Sequence, residues 1–178
     1  MPTTKLDPFH PFPRITTMKT KTKHTIRSVK IIREIDEFPD TSCLGEYSNS
    51  PGPEDRTIDR QELGACGRNE YRYFIAAMSP EETGNPDSVT QDFGRMESLN
   101  RGDWCYIGLR AVAEVMINGT IQTIKSPGLW GIESDGDSSY LNEVGREELA
   151  QLRETLEDIG LSARAINAAF REVETIDA

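Results

Sequence analysis

The sequence predicts an α+β protein: a small antiparallel sheet built round a β-hairpin, one short helix before that hairpin, and a C-terminal helical hairpin packed on the sheet. Three observations carry this. Residues 104–117 are the most strand-like stretch of the chain, and Asn118-Gly119 turns them into Thr120-Ile121-Gln122-Thr123-Ile124; Asn and Gly tolerate the positive φ that both central residues of a type I′ turn require. Leu149, Leu152, Leu156 and Ile159 recur at steps of three and four, the spacing of a buried helical stripe. Gly160 then stops that helix, and Ser162 can cap a second one with Ile166, Ala169, Phe170 and Val173 on its inner side.

The elements follow in order. Residues 1–23 hold Pro2, Pro8, Pro11 and Pro13 and then a Thr/Lys run, a composition with too little apolar surface to pack. They are expected to form a flexible basic tail ahead of one domain at 24–178. Met18 with its Lys-Thr-Lys sequel resembles a translation start, which allows residues 1–17 to be an upstream extension outside the fold. Ile26, Val29, Ile31, Ile32 and Ile35 among Arg27, Lys30, Arg33 and Glu34 predict a first strand buried mainly on one face. Residues 37–69 are rich in Pro, Gly and acidic groups with few aliphatic anchors, and are expected to be a long loop. Structureless connections beyond ~12–15 residues are uncommon in compact domains and often functional, which makes this segment a site candidate.

Tyr71-Arg72-Tyr73-Phe74-Ile75 predicts a second strand. A short helix is expected between the start signal Asn85-Pro86-Asp87-Ser88 and the stop Asn100-Arg101-Gly102, with Val89, Phe93 and Met96 inward and Gly94 weakening it. Two-residue closure of the hairpin fixes its register: Ile117 opposite Thr120, Val115 opposite Gln122 and Ala113 opposite Ile124 on one face, Met116 opposite Ile121 on the other. The acidic run Glu133-Ser134-Asp135-Gly136-Asp137 leads into the helical hairpin, with Asp137 or Ser138 as N-cap and Glu147, Glu148, Arg153, Glu154, Glu157 and Asp158 outward.

Charge narrows the functional classes. With 20 basic and 30 acidic residues the net charge is -10, which opposes contact with nucleic-acid phosphates or anionic membranes. In residues 1–33 eight basic groups face one acidic, a balance of +7, which leaves -17 for the rest. No stretch has the ~20 apolar residues of a spanning helix, and no apolar run follows the N-terminal lysines as in a secretory signal. A cytoplasmic location is expected. Cys43, Cys66 and Cys105, odd in number and widely spaced, predict free thiols in place of a disulfide framework, with Cys43 and Cys66 exposed and Cys105 a small core residue.

Motif searches return little chemistry. The oxygen-rich start Asp135-Gly136-Asp137 does not continue as a calcium loop, because Tyr140 stands at the sixth position and Arg146 at the twelfth. His10 and His24 have no spacing to the cysteines that would assemble a zinc set or a Cys-His nucleophile. Neither phosphate-cradling glycine pattern occurs. No cofactor or metal is therefore expected, and no catalytic constellation is found. The last two helices have the turn of a helix-turn-helix, with Arg164, Asn167 and Arg171 as possible base readers, but residues 132–178 carry twelve acidic and four basic groups, a balance of -8. A DNA reader needs the opposite sign, so a plain antiparallel helix pair is expected.

Two functional classes remain. In the first, an acidic binding protein without enzymatic activity occupies a basic surface on another protein, using Asp40, Glu46, Tyr47, Trp130, Glu133, Asp135, Asp137, Glu154, Glu157 and Asp158. The segments Asp40-Thr41-Ser42-Cys43-Leu44-Gly45-Glu46-Tyr47, residues 95–104 and residues 129–135 resemble uncharacterised small proteins of bacterial phages and mobile elements. That resemblance implies an accessory role, such as blocking a host defence nuclease, and brings no site residues with it. In the second class, a ligand-binding protein or enzyme uses a cleft between the sheet and the 37–69 loop. Tyr47, Arg72, Trp104 and Trp130 would then supply stacking and charge, and Asp135 or Asp137 a metal or base function.

Overall fold

The computed structural model describes residues 24–61, 71–171 and 173. The expected tail at 1–23 and the thiol Cys66 lie outside those residues. The chain is α+β, with antiparallel sheets and a C-terminal helical pair.

The larger sheet is organised by β5 (Tyr106–Ile117), which pairs along its whole length with β1 (His24–Ile35). Its other edge is shared end to end by β6 (Thr120–Lys125) and β7 (Leu129–Glu133). The β5–β6 hairpin has the register the turn chemistry dictates, from Ile117↔Thr120 through Met116↔Ile121 and Val115↔Gln122 to Ala113↔Ile124. Asn118 adopts φ 53° and Gly119 φ 86°, the left-handed pair that closes a type I′ turn.

Strand β7 has no counterpart in the sequence reading. It forms because the chain jogs at Ser126-Pro127-Gly128 and re-pairs with the same edge of β5. Three side chains hold the jog. Ser126 Oγ accepts the Ala111 amide at 2.9 Å, Arg110 donates to the Pro127 carbonyl at 2.9 Å, and the carboxylate of Glu148 accepts the Gly128 amide at 2.9 Å. Glu148, expected to face solvent, is therefore buried at 3% exposure, where it satisfies a backbone N–H that the strand pairing leaves over.

Alternate side chains of β5 point to one face of the sheet. Ile107, Leu109, Ala111, Ala113 and Val115 pack against α3 (Ser138–Asp158), the following Leu161, and α4 (Ala163–Phe170). Leu141, Val144, Leu152, Leu156 and Ile166 are the helical side of this core. Asp137 caps α3 by accepting the Ser139 amide at 2.6 Å, and Ser162 caps α4 by accepting the Ala165 amide. The predicted stripe is shortened at both ends of the pair: Ile159 is at the C-cap of α3 and exposed, and the half-buried Val173 follows α4 instead of extending it. Cys105 is partly buried just ahead of β5, and Cys43 is an exposed thiol.

Residues 37–61 are not the structureless loop that their prolines and glycines suggest. They contribute β2 (Gly45–Ser48), one 3-10 turn at Glu54–Arg56 and β3 (Thr57–Asp59), which flank β4 (Tyr73–Ala76) in a second antiparallel sheet. Gly45 is required here: at φ 136°, a Cβ would run into the Ile75 carbonyl of the neighbouring strand. Helix α2 (Ser88–Arg101) packs on this sheet through Phe93 and Met96, which meet Phe74, Ala76, Leu44, Trp104 and Tyr106 in a separate apolar cluster. Gly102 ends α2 at φ 78°, its amide returning to Leu99 and that of Asp103 to Ser98. A four-residue helix α1 (Pro80–Thr83) precedes it. This helix has a capping box in which Ser79 and Glu82 exchange hydrogen bonds, the Ser-x-x-Glu spacing of a helix start.

Candidate functional site

Six of the ten predicted site residues fall into three groups with different tasks, and Asp40, Glu46, Trp130 and Asp137 stand apart from them. Glu133 and Asp135 converge on Arg95, which reaches from α2 to the β7–α3 connection. Its guanidinium donates to Asp135 at 2.7 and 2.5 Å and to Glu133 at 2.8 Å, and it lies 3.6 Å from the ring centre of Trp104. The fork geometry of Arg makes this two-pronged grip possible. Hydrogen bonding to Arg95 holds the Asp135 carboxyl below its ordinary value, and Asp135 pushes the Arg95 guanidinium further up. Trp104 is buried beneath it, donating its indole N–H to Ser98 and to the Arg95 carbonyl. These charges fasten the second sheet and α2 to the end of β5. They are neutralised inside the molecule.

Tyr47 belongs to a second network. Its hydroxyl donates to Glu97 at 2.6 Å and accepts from Asn100 at 2.7 Å, while its ring stacks near Tyr71 and packs edge-on to Phe74. Arg60, buried at 3% exposure, reaches Glu97 at 3.3 Å and the Tyr71 carbonyl at 2.6 Å, with its guanidinium over the Tyr47 ring. Tyr47 thus straps β2 to α2. Arg72 grips Asp59 across β3 and β4, which lowers that carboxyl. Tyr47, Arg72, Trp104 and Trp130 do not share a cleft: Trp130 packs over Gly108 on the larger sheet, beneath the guanidinium of Arg110. Asp40 is exposed in the turn before β2, where bonds from Ser42 lower its carboxyl, and Glu46 is exposed on β2. Asp137 is the cap of α3, its carboxyl lowered by the hydrogen bonds of Ser139.

The third group is the outer face of α3. Glu154, Glu157 and Asp158 are exposed there, and Glu143 and Glu147, which the sequence reading did not assign to a site, are exposed beside them. At 100° per residue all five fall within about 100° of arc, opposite the stripe of Leu141, Val144, Glu148, Leu152 and Leu156. Among the described residues none of these five carboxylates enters an ion pair. The four-residue spacing of Glu143/Glu147 and Glu154/Asp158 was the signal that would have extended the site.

Two terms make this stripe costly. Like charges four residues apart on a helix repel by about 0.2–0.5 kcal/mol per pair. Carboxylates at a helix C-terminus also oppose the partial negative charge there, and the last turn of α3 carries Glu157 and Asp158 with no basic residue. Among the described residues the stripe is the largest group of predicted carboxylates that no ion pair neutralises and no cap uses; Asp40 and Glu46 are single exposed carboxylates elsewhere.

Among the described residues no group of three or more His, Cys, Asp and Glu side chains is placed to hold a metal ion, and no helix is long and apolar enough to cross a membrane. No protein-family model, curated protein or solved structure matches the chain.

Proposed function

We propose that the protein is a non-enzymatic binding protein that presents the acidic outer face of α3 to a basic surface of another protein. The observation that carries this is the row of five exposed carboxylates that form no ion pair among the described residues, two of them, Glu157 and Asp158, in the last turn of α3, where the helix dipole disfavours them. A cationic groove on a partner would relieve both the repulsion and the dipole conflict, and the long-range field would speed encounter. The resemblance of residues 40–47, 95–104 and 129–135 to phage and mobile-element proteins favours a host defence or nucleic-acid-binding protein as the partner. We place the encounter in the cytoplasm, a reducing compartment that suits the free thiols Cys43 and Cys105.

Capture from bacterial lysate tests the proposal. The immobilised protein should retain a basic, nucleic-acid-binding protein at low salt and release it near 1 M salt, where the screening length is ~3 Å. Added duplex DNA should displace that protein, because both compete for one groove. If nothing is retained, and a small-molecule screen instead finds a ligand that raises the melting temperature, the protein is a ligand binder and the proposal fails.

A further inference from the structure

The basic residues of this acidic chain are not scattered evenly. Strand β1 is an edge of the larger sheet: it pairs with β5 on one side, and no described strand lies on the other. Along that edge Thr25, Ile26, Arg27, Ser28 and Val29 face Ala165, Ala168 and Ala169 of α4 across an open cleft of 450 Å³. A second hollow adjoins it over Arg164, Asn167 and Arg171, with Ala168 common to both. Three arginines thus line the two connected hollows, Arg27 from the strand and Arg164 and Arg171 from the helix. All three are exposed, and among the described residues none pairs with a carboxylate, although the chain has 30 acidic groups against 20 basic ones.

We infer that the cleft between β1 and α4 takes an extended acidic peptide of a partner protein, laid as an added strand along the open edge of β1. The strand supplies unpaired backbone groups to one side of the peptide, as in other strand-addition sites. Residues 25–29 offer roughly 17 Å of edge at ~3.3 Å per residue. Ala165, Ala168 and Ala169 keep the opposite wall low, so that alternate side chains of the peptide fit against Ile26 and Val29 while its carboxylates reach the three arginines.

The occupant is selected by charge and by the strand itself. A second copy pairing through β1 about Lys30 would set the basic residues Arg27, Lys30 and Arg33 against one another. The register shift between Ile26 and Ser28 bulges the edge at Arg27, which confines regular pairing by any added strand to the residues on either side of it. A nucleic acid would enter a hollow walled by alanines, which offers bases nothing to stack on.

The test uses the full chain and a fluorescein-labelled decapeptide of alternating Val and Glu, with its Lys-for-Glu counterpart and a short DNA duplex as competing probes. Anisotropy should show saturable binding of the Glu peptide alone. Ala168→Leu, which fills the shared point of the two hollows, and the pair Arg164→Glu and Arg171→Glu should each weaken it roughly tenfold or more. Both changes sit on exposed positions and should leave the melting temperature in place. The inference is overturned by absence of saturable binding, which is also the result of a cleft filled by the chain's own ends. It is equally overturned by equal affinity for the Lys peptide, by preferential binding of the duplex, by indifference to both substitutions, or by light scattering that reveals a dimer broken by Ala168→Leu.

Discussion

At the level of single residues, the least legible positions are those whose partners are far along the chain. Glu148 reads as a solvated helix residue because its neighbours Glu147 and Arg146 are charged; its burial is dictated by the Gly128 amide, twenty residues away. Replacing it with Ala should cost about 1–3 kcal/mol in denaturant unfolding by leaving that amide unpaired, and Glu148→Gln, which keeps an acceptor oxygen, should cost less. Gly108 is equally opaque in sequence. A Cβ there would collide with the Trp130 indole, so Gly108→Ala should swing Trp130 outward and shift tryptophan emission to the red, with Trp104 still buried. Arg95 shows why the predicted carboxylates Glu133 and Asp135 are not free: their counter-charge arrives from another helix. The lowered Asp135 carboxyl makes a pH prediction. Its ionised form is favoured in the folded state, so the stabilisation is complete above the ordinary value of 3.8 and is lost as pH falls through the lower folded value. Acid unfolding followed by circular dichroism should therefore be less steep in that range for Arg95→Ala than for the parent chain.

At the level of elements, what was legible had either turn chemistry or a long period. The Asn118-Gly119 hairpin is legible to the residue and the stop at Gly160 with it; the cap of α3 is Asp137, one of the two candidates, and α2 lies between its expected start and stop signals. Gly119→Val forces a branched side chain to φ 86° and should destabilise the protein by about 1–2 kcal/mol. Strands β2, β3 and β7, of four, three and five residues, are too short for alternation to register, and their proline- and glycine-rich flanks outweigh propensity. They exist because β4 and β5 offer edges to pair with, a tertiary cause. Helix α3 carries the site, and there the sequence served half the purpose: Glu154, Glu157 and Asp158 are on the exposed face as expected, and Glu143 and Glu147 complete it. Because those charges oppose the helix, Glu157→Gln with Asp158→Asn should raise stability by about 0.3–1 kcal/mol while weakening partner capture. A surface selected for stability alone would not give that opposition of effects.

Across the whole molecule, charge is sorted by place. The larger sheet is covered on one face by α3 and α4. The outer side of α3 is acidic, and the cleft between α4 and the β1 edge gathers Arg27, Arg164 and Arg171. The second sheet and α2 are held to the far end of β5 by the Arg95 clamp and the cluster of Phe74, Phe93, Trp104 and Tyr106. Such sorting could be inferred only in outline from the +7 and -17 balances of the two stretches, since linear charge does not say which residues share a face. The central claim is that the α3 stripe is a binding surface. It is tested most directly by repeating lysate capture with Glu154→Gln, Glu157→Gln and Asp158→Asn combined, a chain that keeps the helix and its shape but lacks three of the charges. The basic protein retained by the parent chain should be lost from this variant; its retention in equal amount, with the same salt dependence, would contradict the claim.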